Sequence, residues 1–369
     1  MTGLFIGLIS GTSADGIDAV LMDFAPAPRI TATHFSSYPD TVRQRVLQLS
    51  AGRHTGDPID ELGGLDVELG ELFAAAALAL LEQSGTPASR VRAIGSHGQT
   101  VRHRPRARHP FTLQIADPNV IAARTGITVA ADFRRRDVAL GGQGAPLLPA
   151  FHRVAFAAPA EERVVANIGG ISNITLLPPG GEVRGFDTGP GNVFMDLWSR
   201  EHLGTPFDKN GDFAAGGKVD ETLLAALLAD GYYAAPPPKS TGPEHFNRGM
   251  LDAALTGRRV APADVAATLA QLTARSIADA VRKHSPAARM LYVCGGGAHN
   301  LHLMTRLAGC LPGVNVASTE ALGIHPDWVE AAGFAWLARE TLEARPGNLP
   351  SVTGAGKSTV LGAIYPSGK

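Results

Sequence analysis

Apolar runs in this chain alternate with short polar loops rich in glycine, and the loops fall where the runs stop. The run Leu4 to Ile9 resumes after a turn as Ala19 to Met22, and a second pair, Val164 to Ala166 and Ile174 to Leu177, repeats the arrangement. Both pairs read as strand, tight turn, strand. Beyond the first hairpin Leu65, Leu69, Leu72, Ala76 and Leu80 recur at helical spacing with Gly85 as the stop, which predicts an amphipathic helix lying on a sheet. Arg90 to Gly95 predicts a strand ending in Ser96-His97-Gly98-Gln99-Thr100, and Ile127 to Ala131 another ending in Asp132-Phe133-Arg134. Farther on, Phe194 to Leu203 is helix-like, Val265, Leu269, Leu272, Ser276 and Ala280 share one helical face, and Met290 to Cys294 has a buried-strand pattern. Polar clusters therefore sit where strands end, the edge at which open α/β sheets collect ligands. Pro236 to Pro243 is too proline-rich for regular structure and reads as an exposed or lining loop.

Composition narrows the class. With 369 residues, 44% hydrophobic and 18% charged, the chain can bury two ordinary cores. A net charge of -1 gives no global attraction to nucleic acid or to an anionic membrane, so the expected partners are small and locally bound. Cys294 and Cys310 are too few for a disulfide scaffold and have no zinc spacing, which fits a reducing cytoplasm. No signal peptide is expected, because the N-terminus has no basic region and its apolar run ends by Ile9. The longest apolar stretch, Leu72 to Leu81, is about half of the ~20 residues that span a bilayer, so no membrane association is expected. The glycine-rich crossing Asp137 to Pro146 marks the expected domain change, giving lobes 1–135 and 136–369, with the last strand free to return to the first lobe.

Candidate chemistry concentrates in the two hairpin loops. Gly11-Thr12-Ser13-Ala14-Asp15-Gly16-Ile17-Asp18 and Asn167-Ile168-Gly169-Gly170-Ile171-Ser172-Asn173 lie roughly 150 residues apart, as in successive domains. Glycines let a backbone pass close to a polyanion, hydroxyls donate, and a carboxylate holds a cation. A decorated β-turn is the bland alternative for either loop, but two of them suggest a two-sided grip on a phosphate chain. Bound phosphate would bring Mg²⁺, held by Asp15 or Asp18 through water. Gly295-Gly296-Gly297 directly after a strand either caps a helix or lets an adenine and ribose approach the backbone; Asn300 serves equally as ribose contact or N-cap. Asp187, among Gly185, Thr188, Gly189 and Gly191, is the candidate base, against an Asx-turn or N-cap role. Arg134 has the fork for a substrate carboxylate, while at least one of Arg134, Arg135 and Arg136 belongs to solvent. His97, Gln99 and Thr100 are candidate lining of the same cleft. Asp327-Trp328-Val329-Glu330 has capping-box spacing, so Glu330 is a cap or a substrate contact. Gly354-Ala355-Gly356-Lys357-Ser358-Thr359 resembles a P-loop, but Ser351 stands where the Walker pattern needs glycine; it is expected to be a turn before a last strand, Val360 to Ile364.

Taken together, Gly7 to Asp18, Ser96 to Thr100, Asp132 to Asp137, Gly141 to Pro146, Gly185 to Asn192, Pro237 to Gly242 and Cys294 to Asn300 closely resemble the anhydro-N-acetylmuramic acid kinases. Ala14, where the family often has leucine, is the one small departure. The resemblance implies an α/β, two-domain actin-like (ribonuclease H-like) sugar-kinase fold with ATP in a cleft between the lobes. It implies ATP and Mg²⁺ as cofactors, with Gly11, Thr12, Ser13, Ala14, Asp15, Gly16, Ile17, Asp18, Asn167, Gly169, Gly170, Gly295, Gly296, Gly297 and Asn300 around the nucleotide. It makes Asp187 the base that activates water at C1 of 1,6-anhydro-N-acetylmuramic acid as O6 takes the γ-phosphoryl group. Arg134 then meets the lactyl carboxylate, Glu330 tilts toward substrate contact, and Lys239, Ser240 and Thr241 match the family without an assigned role. A cytoplasmic enzyme of peptidoglycan recycling, active as a homodimer, is the expectation; an ordinary amino-sugar kinase and a nucleotide-gated assembly protein are the alternatives.

Overall fold

The computed structural model describes residues 3–11, 13–53, 56–242 and 244–368. It divides into two compact units, the first made of 1–155 with 328–369 and the second of 156–327. The boundaries differ from the expected 135/136. The glycine-rich crossing is not a linker, because its buried Asp137 is bonded to the C-terminal segment: Asn348 Nδ2 and Thr353 Oγ1 each donate to Asp137 Oδ1 at 2.8 Å.

In the first unit β1 (Leu4–Ser10), β2 (Gly16–Asp23), β3 (Arg29–Ser37), β4 (Val91–Arg104), β5 (Phe111–Ile115), β6 (Val129–Ala131) and the last strand, β12 (Ala363–Tyr365), form one sheet. Its order is β12-β6-β4-β1-β2-β3, with β5 paired to β4. β1 runs parallel to β4 and antiparallel to β2, and β4 parallel to β6. The second unit holds β7 (Arg163–Ile168), β8 (Ile171–Leu177), β9 (Arg184–Pro190), β10 (Met290–Cys294) and β11 (Asn315–Ser318), in the order β11-β10-β7-β8-β9. Here too the first strand is antiparallel to the second and parallel to the fourth. Each unit thus has the 3-2-1-4-5 order with an antiparallel second strand that defines the ribonuclease H-like fold. The sequence echo between hairpins extends to whole sheets.

The predicted helix behind the first hairpin is Pro58–Ser84, capped by Asp57, whose carboxylate accepts from the Ile59 amide at 2.7 Å, and ended by Gly85 in the left-handed region. Leu65, Leu69, Phe73, Ala76 and Leu80 are its buried stripe, packed with Ile6, Leu8 and Ile94 of the sheet. On the second unit the helix Pro262–His284 does the same, with Val265, Leu269, Leu272 and Ile277 packed with Val164, Leu291 and Val293. A third helix, Val329–Leu342, returns to the first unit and lies so close to β1 and β4 that side chains are excluded beneath it. A Cβ on Gly7 would meet the Ala331 carbonyl oxygen at 1.8 Å, and one on Gly95 the Phe334 carbonyl oxygen at 2.0 Å.

Three sequence expectations shift. β4 does not stop at Gly95 but continues to Arg104, so the polar cluster Ser96 to Thr100 lies inside the strand, paired with β1 as far as Gln99 and with β5 from Gln99 on. Asp187 lies inside strand β9 rather than in a turn. The last strand begins at Ala363, not Val360, because the P-loop-like segment is occupied elsewhere: Gly354 ends the short helix Pro350–Thr353, and the Gly356 amide donates to the Leu140 carbonyl at 2.9 Å.

Candidate active site

The first hairpin turns at residues 11–15, of which Thr12 lies outside the described residues. Ala14 adopts φ 50° and is fully buried, so its methyl belongs to the core while the polar residues around it stay outside. Ser13 Oγ donates to Asp15 Oδ1 at 2.8 Å, and the Ala14 amide closes on the Gly11 carbonyl at 3.2 Å. Gly16 and Ile17 are already β2, and the Ile17 side chain is core, so it presents no side chain to a ligand. Asp18 lies on β2 opposite Ile9, half-buried. Gln99, expected on the sugar, instead braces this turn: its Nε2 donates to the Gly11 carbonyl at 3.1 Å. Its Oε1 is a buried acceptor with no hydrogen-bond partner among the described residues.

Four side chains of the first unit gather around Arg134. Nε of Arg134 donates to His97 Nε2 at 2.9 Å and Nη1 to the Gly144 carbonyl at 2.8 Å; Nη2 makes no hydrogen bond among the described residues. Accepting at Nε2 fixes the imidazole tautomer, so Nδ1 donates to the Gly98 carbonyl at 3.0 Å. Burial, with the guanidinium second, holds the His97 pKa well below the usual histidine range, and the ring is neutral. That ring lies on Phe334 with centroids 4.6 Å apart. Phe334 and Glu330 are one turn apart on the helix Val329–Leu342 and share its face. Glu330 and Asp137 hold the Arg134 charge up, while burial draws its pKa down to about 10, still cationic at neutral pH. The helix is preceded by Trp328 with no side-chain cap, and Asp327 instead accepts from His299 Nε2 at 2.6 Å, so the capping box is not formed. Arg135, exposed, pairs with Asp132 at 3.4 Å, and Arg136 Nη1 donates to the Val360 carbonyl at 3.0 Å; the run resolves to one inward arginine and two outward ones. Thr100 is not brought into this group, its Oγ1 accepting from Gln114 on β5 at 3.1 Å. A cavity of about 330 Å³ beside it is lined by Ser96, His97, Asp66, Asp117, Asp132 and Arg135.

In the second unit the Gly169-Gly170 turn is locked from one side. The Asn192 amide donates to the Gly169 carbonyl at 2.7 Å, and the amides of Gly191 and Val193 to the Gly170 carbonyl at 2.9 and 3.1 Å. Asn167 stands at the end of β7 beside Cys294 of β10. Gly295 follows with φ 78°, and a Cβ there would meet Asn167 Oδ1 at 2.4 Å, so only glycine fits between the two loops. A Cβ on Gly296 would make only an ordinary contact, with Asn192 Nδ2 at 3.6 Å. Asn300 is the N-cap: its Oδ1 accepts from the Leu303 amide at 2.9 Å.

Asp187 is held at three points. Its amide donates to the Lys239 carbonyl at 3.1 Å, its carbonyl accepts from the Tyr232 hydroxyl at 2.7 Å, and its Oδ2 accepts from the Thr241 amide at 2.9 Å. Oδ1 has no partner among the described residues. Burial is the largest influence on this carboxyl and pushes its pKa to about 7, against the Thr241 amide and Lys239, which favour the anion. A carboxylate that is half protonated near neutrality, with one oxygen fixed and one open, is a general base in waiting. The sequence reading does not single out Tyr232 or Phe334. For Phe334 a signal existed, its spacing of four from Glu330; for Tyr232 there was none.

Among the described residues no three histidine, cysteine or acidic side chains converge on a metal position. Asp15 and Asp18 on one hairpin fit Mg²⁺ nonetheless, since that ion takes one or two carboxylates and completes its shell with water and phosphate oxygens.

A family model described as anhydro-N-acetylmuramic acid kinase matches residues 3–367. The anhydro-N-acetylmuramic acid kinase of Coxiella burnetii (strain Dugway 5J108-111) is 53% identical over 363 residues, covering 98% of this chain and 97% of that protein. That of Xanthomonas campestris pv. campestris (strain 8004) is 53% identical over 368 residues, covering 99% and 97%. Among solved structures, the activator of the 2-hydroxyisocaproyl-CoA dehydratase from Clostridium difficile with bound ADPNP aligns with TM-score 0.46 and 12% identity, over 93% of this chain and 96% of that one. A ROK family glucokinase from Streptomyces griseus in complex with glucose and AMPPNP aligns with TM-score 0.43 and 15% identity, over 92% and 100%.

Proposed function

The chain belongs to the anhydro-N-acetylmuramic acid kinase family, and from that premise we propose that it opens the 1,6-anhydro ring of 1,6-anhydro-N-acetylmuramic acid with water and phosphorylates O6 from ATP. The products are N-acetylmuramic acid 6-phosphate and ADP, in peptidoglycan recycling. The observation that carries the reading is the open Oδ1 of Asp187 on a carboxylate whose pKa is near 7. O6 of this substrate is tied to C1 and is not a free hydroxyl, so the proton the base removes comes from water. As water oxygen bonds to C1, the C1–O6 bond breaks, O6 attacks the γ-phosphorus, and the bond to the β,γ-bridging oxygen breaks to release ADP. The water proton goes to Asp187 Oδ1 and then to solvent.

The remaining residues orient and compensate charge. Arg134, with Nε and Nη1 spent on protein, presents Nη2 to the lactyl carboxylate, and Glu330 on the same helix face as Phe334 accepts a sugar hydroxyl. The backbone amides of Gly169 and Gly170 on the second unit and the Ser13 hydroxyl on the first are the donors offered to phosphate oxygens, and Gly295 to Gly297 are the adenosine contact. Asp15 or Asp18 would hold Mg²⁺, which would supply positive charge beside the transferring group. Asn300, committed as a cap through Oδ1, has only its Nδ2 to offer a ribose. No helix among the described residues is long and apolar enough to cross a membrane; a cytoplasmic homodimer remains our reading of the family resemblance.

The test is turnover of ATP and the anhydro sugar in ¹⁸O-labelled water. Label at C1 of a 6-phosphorylated product is expected; product without label would overturn the coupled ring opening. Asp187→Asn should lower kcat by at least about 10³-fold while ATP binding persists, and near-normal turnover would remove Asp187 as base.

A further inference from the structure

The loop that grips Asp187 also carries a cation into its neighbourhood. Lys239 Nζ donates to the Tyr232 carbonyl at 2.9 Å and the Tyr233 carbonyl at 3.4 Å, and sits 4.4 Å from the centroid of the Tyr232 ring. The same Tyr232 gives its hydroxyl to the Asp187 carbonyl, and the Lys239 carbonyl receives the Asp187 amide. We propose that Lys239 is the positioning residue of Asp187, its main chain fixing the base and its ammonium, pinned on Tyr232, keeping the buried carboxylate ionised without touching the oxygen that meets water. This rests on Asp187 being the base.

Three observations support a field rather than a contact. First, the Lys239 ammonium donates to the Tyr232 and Tyr233 carbonyls and makes no ion pair with Asp187 among the described residues. Second, Thr241, two residues on, fills Oδ2 through its amide, so a direct lysine bond would consume Oδ1, the catalytic lone pair. Third, the charges facing the pair are few. Glu244 opposes ionisation of Asp187, and Lys283 and His284, in the last turn of the helix Pro262–His284, face Lys239, as Arg184 faces His284. His245 and Asp230 satisfy each other at 3.1 Å. Burial and Lys283 press the lysine toward neutrality while Asp187 holds its charge up, so each member of the pair favours the other's charged form.

Removing the ammonium raises the proton affinity of Asp187, and the reaction needs the deprotonated form. The experiment is the pH profile of kcat/KM for the wild type, Lys239→Gln, Lys239→Arg, Glu244→Gln and Asp187→Asn, each checked for folding by thermal melting. Glutamine retains donors for the two tyrosine carbonyls. Its acid limb should move up by about one pH unit, a roughly tenfold loss on the acid side that recovers above pH 9; arginine should leave the limb near its wild-type position. Loss by the same factor at every pH, with the limb unmoved, would overturn the inference. Should Lys239→Gln not fold, exposed Glu244→Gln decides: its limb should move down, and no movement overturns the electrostatic coupling. Persistent turnover in Asp187→Asn defeats the parent reading instead, whereas an inactive Asp187→Asn with unmoved limbs elsewhere defeats only the role of Lys239.

Discussion

A carboxyl group that titrates near pH 7 is a burden on the fold that holds it. In the unfolded chain Asp187 loses its proton near pH 4; in the folded protein burial delays this to about 7. Between those values the folded state binds the extra proton, so stability falls as pH rises through the window and stays low above it. Asparagine carries no such penalty. Asp187→Asn should therefore melt higher than the wild type at pH 8, by on the order of 1 kcal/mol or more, and the two curves should converge near pH 4. Melts across that range check it, and coincident curves at pH 8 would mean that the carboxylate is not desolvated. The sequence made Asp187 conspicuous through its glycine neighbours, but the property that matters, one bonded oxygen and one open, depends on Thr241 and Tyr232, residues 45 or more positions away whose approach no local pattern encodes.

At the scale of elements, periodicity located those parts whose apolar faces are continuous. Of the predicted stripe, Leu65, Leu69, Ala76 and Leu80 are core while Leu72 is only partly buried and Phe73 takes its place, and the run Leu4 to Ile9 is buried from Phe5 on. The expected end of β4 falls too early because its pattern turns polar at Ser96, yet the strand stays paired with β1 as far as Gln99 and goes on from there against β5. Of the polar residues there, His97 bonds Arg134 and Gln99 braces the first hairpin turn, while Thr100 bonds Gln114. Glycine at 95 reads in sequence as a strand end; in the fold it is the contact floor for the helix Val329–Leu342. Gly95→Ala drives a methyl against the Phe334 carbonyl, and the helix has to lift. Denaturant unfolding should show a loss of about 1–3 kcal/mol, and because Phe334 carries the His97 ring, KM for the sugar should rise with it. A variant with wild-type stability would show that the helix tolerates displacement.

Across the whole molecule, the repeated strand order follows from two hairpins that were legible, and the return of the last strand to the first lobe was allowed for, but the return of the whole segment from residue 328 on was not. Besides the helix Val329–Leu342 on β1 and β4 and the pairing of β12 with β6, long-range bonds on Asp137 tie this segment in. This carboxylate, with no exposed surface, takes the Gly144 amide on Oδ2 at 2.8 Å and Asn348 and Thr353 on Oδ1. The Gly144 carbonyl in turn receives Nη1 of Arg134, so the chain end that resembled a P-loop holds the arginine proposed for the lactyl group. Thr353→Val keeps the shape and deletes one donor, leaving a buried anion short of a hydrogen bond at about 1–3 kcal/mol. If the relay reaches the site, KM for the anhydromuramic sugar should rise several-fold while that for an anhydro sugar lacking the lactyl group stays put. Comparing the two sugars separates the relay from plain destabilisation, because a loosened first unit would weaken both equally, whereas a guanidinium turned from its fork weakens only the substrate that carries a carboxylate.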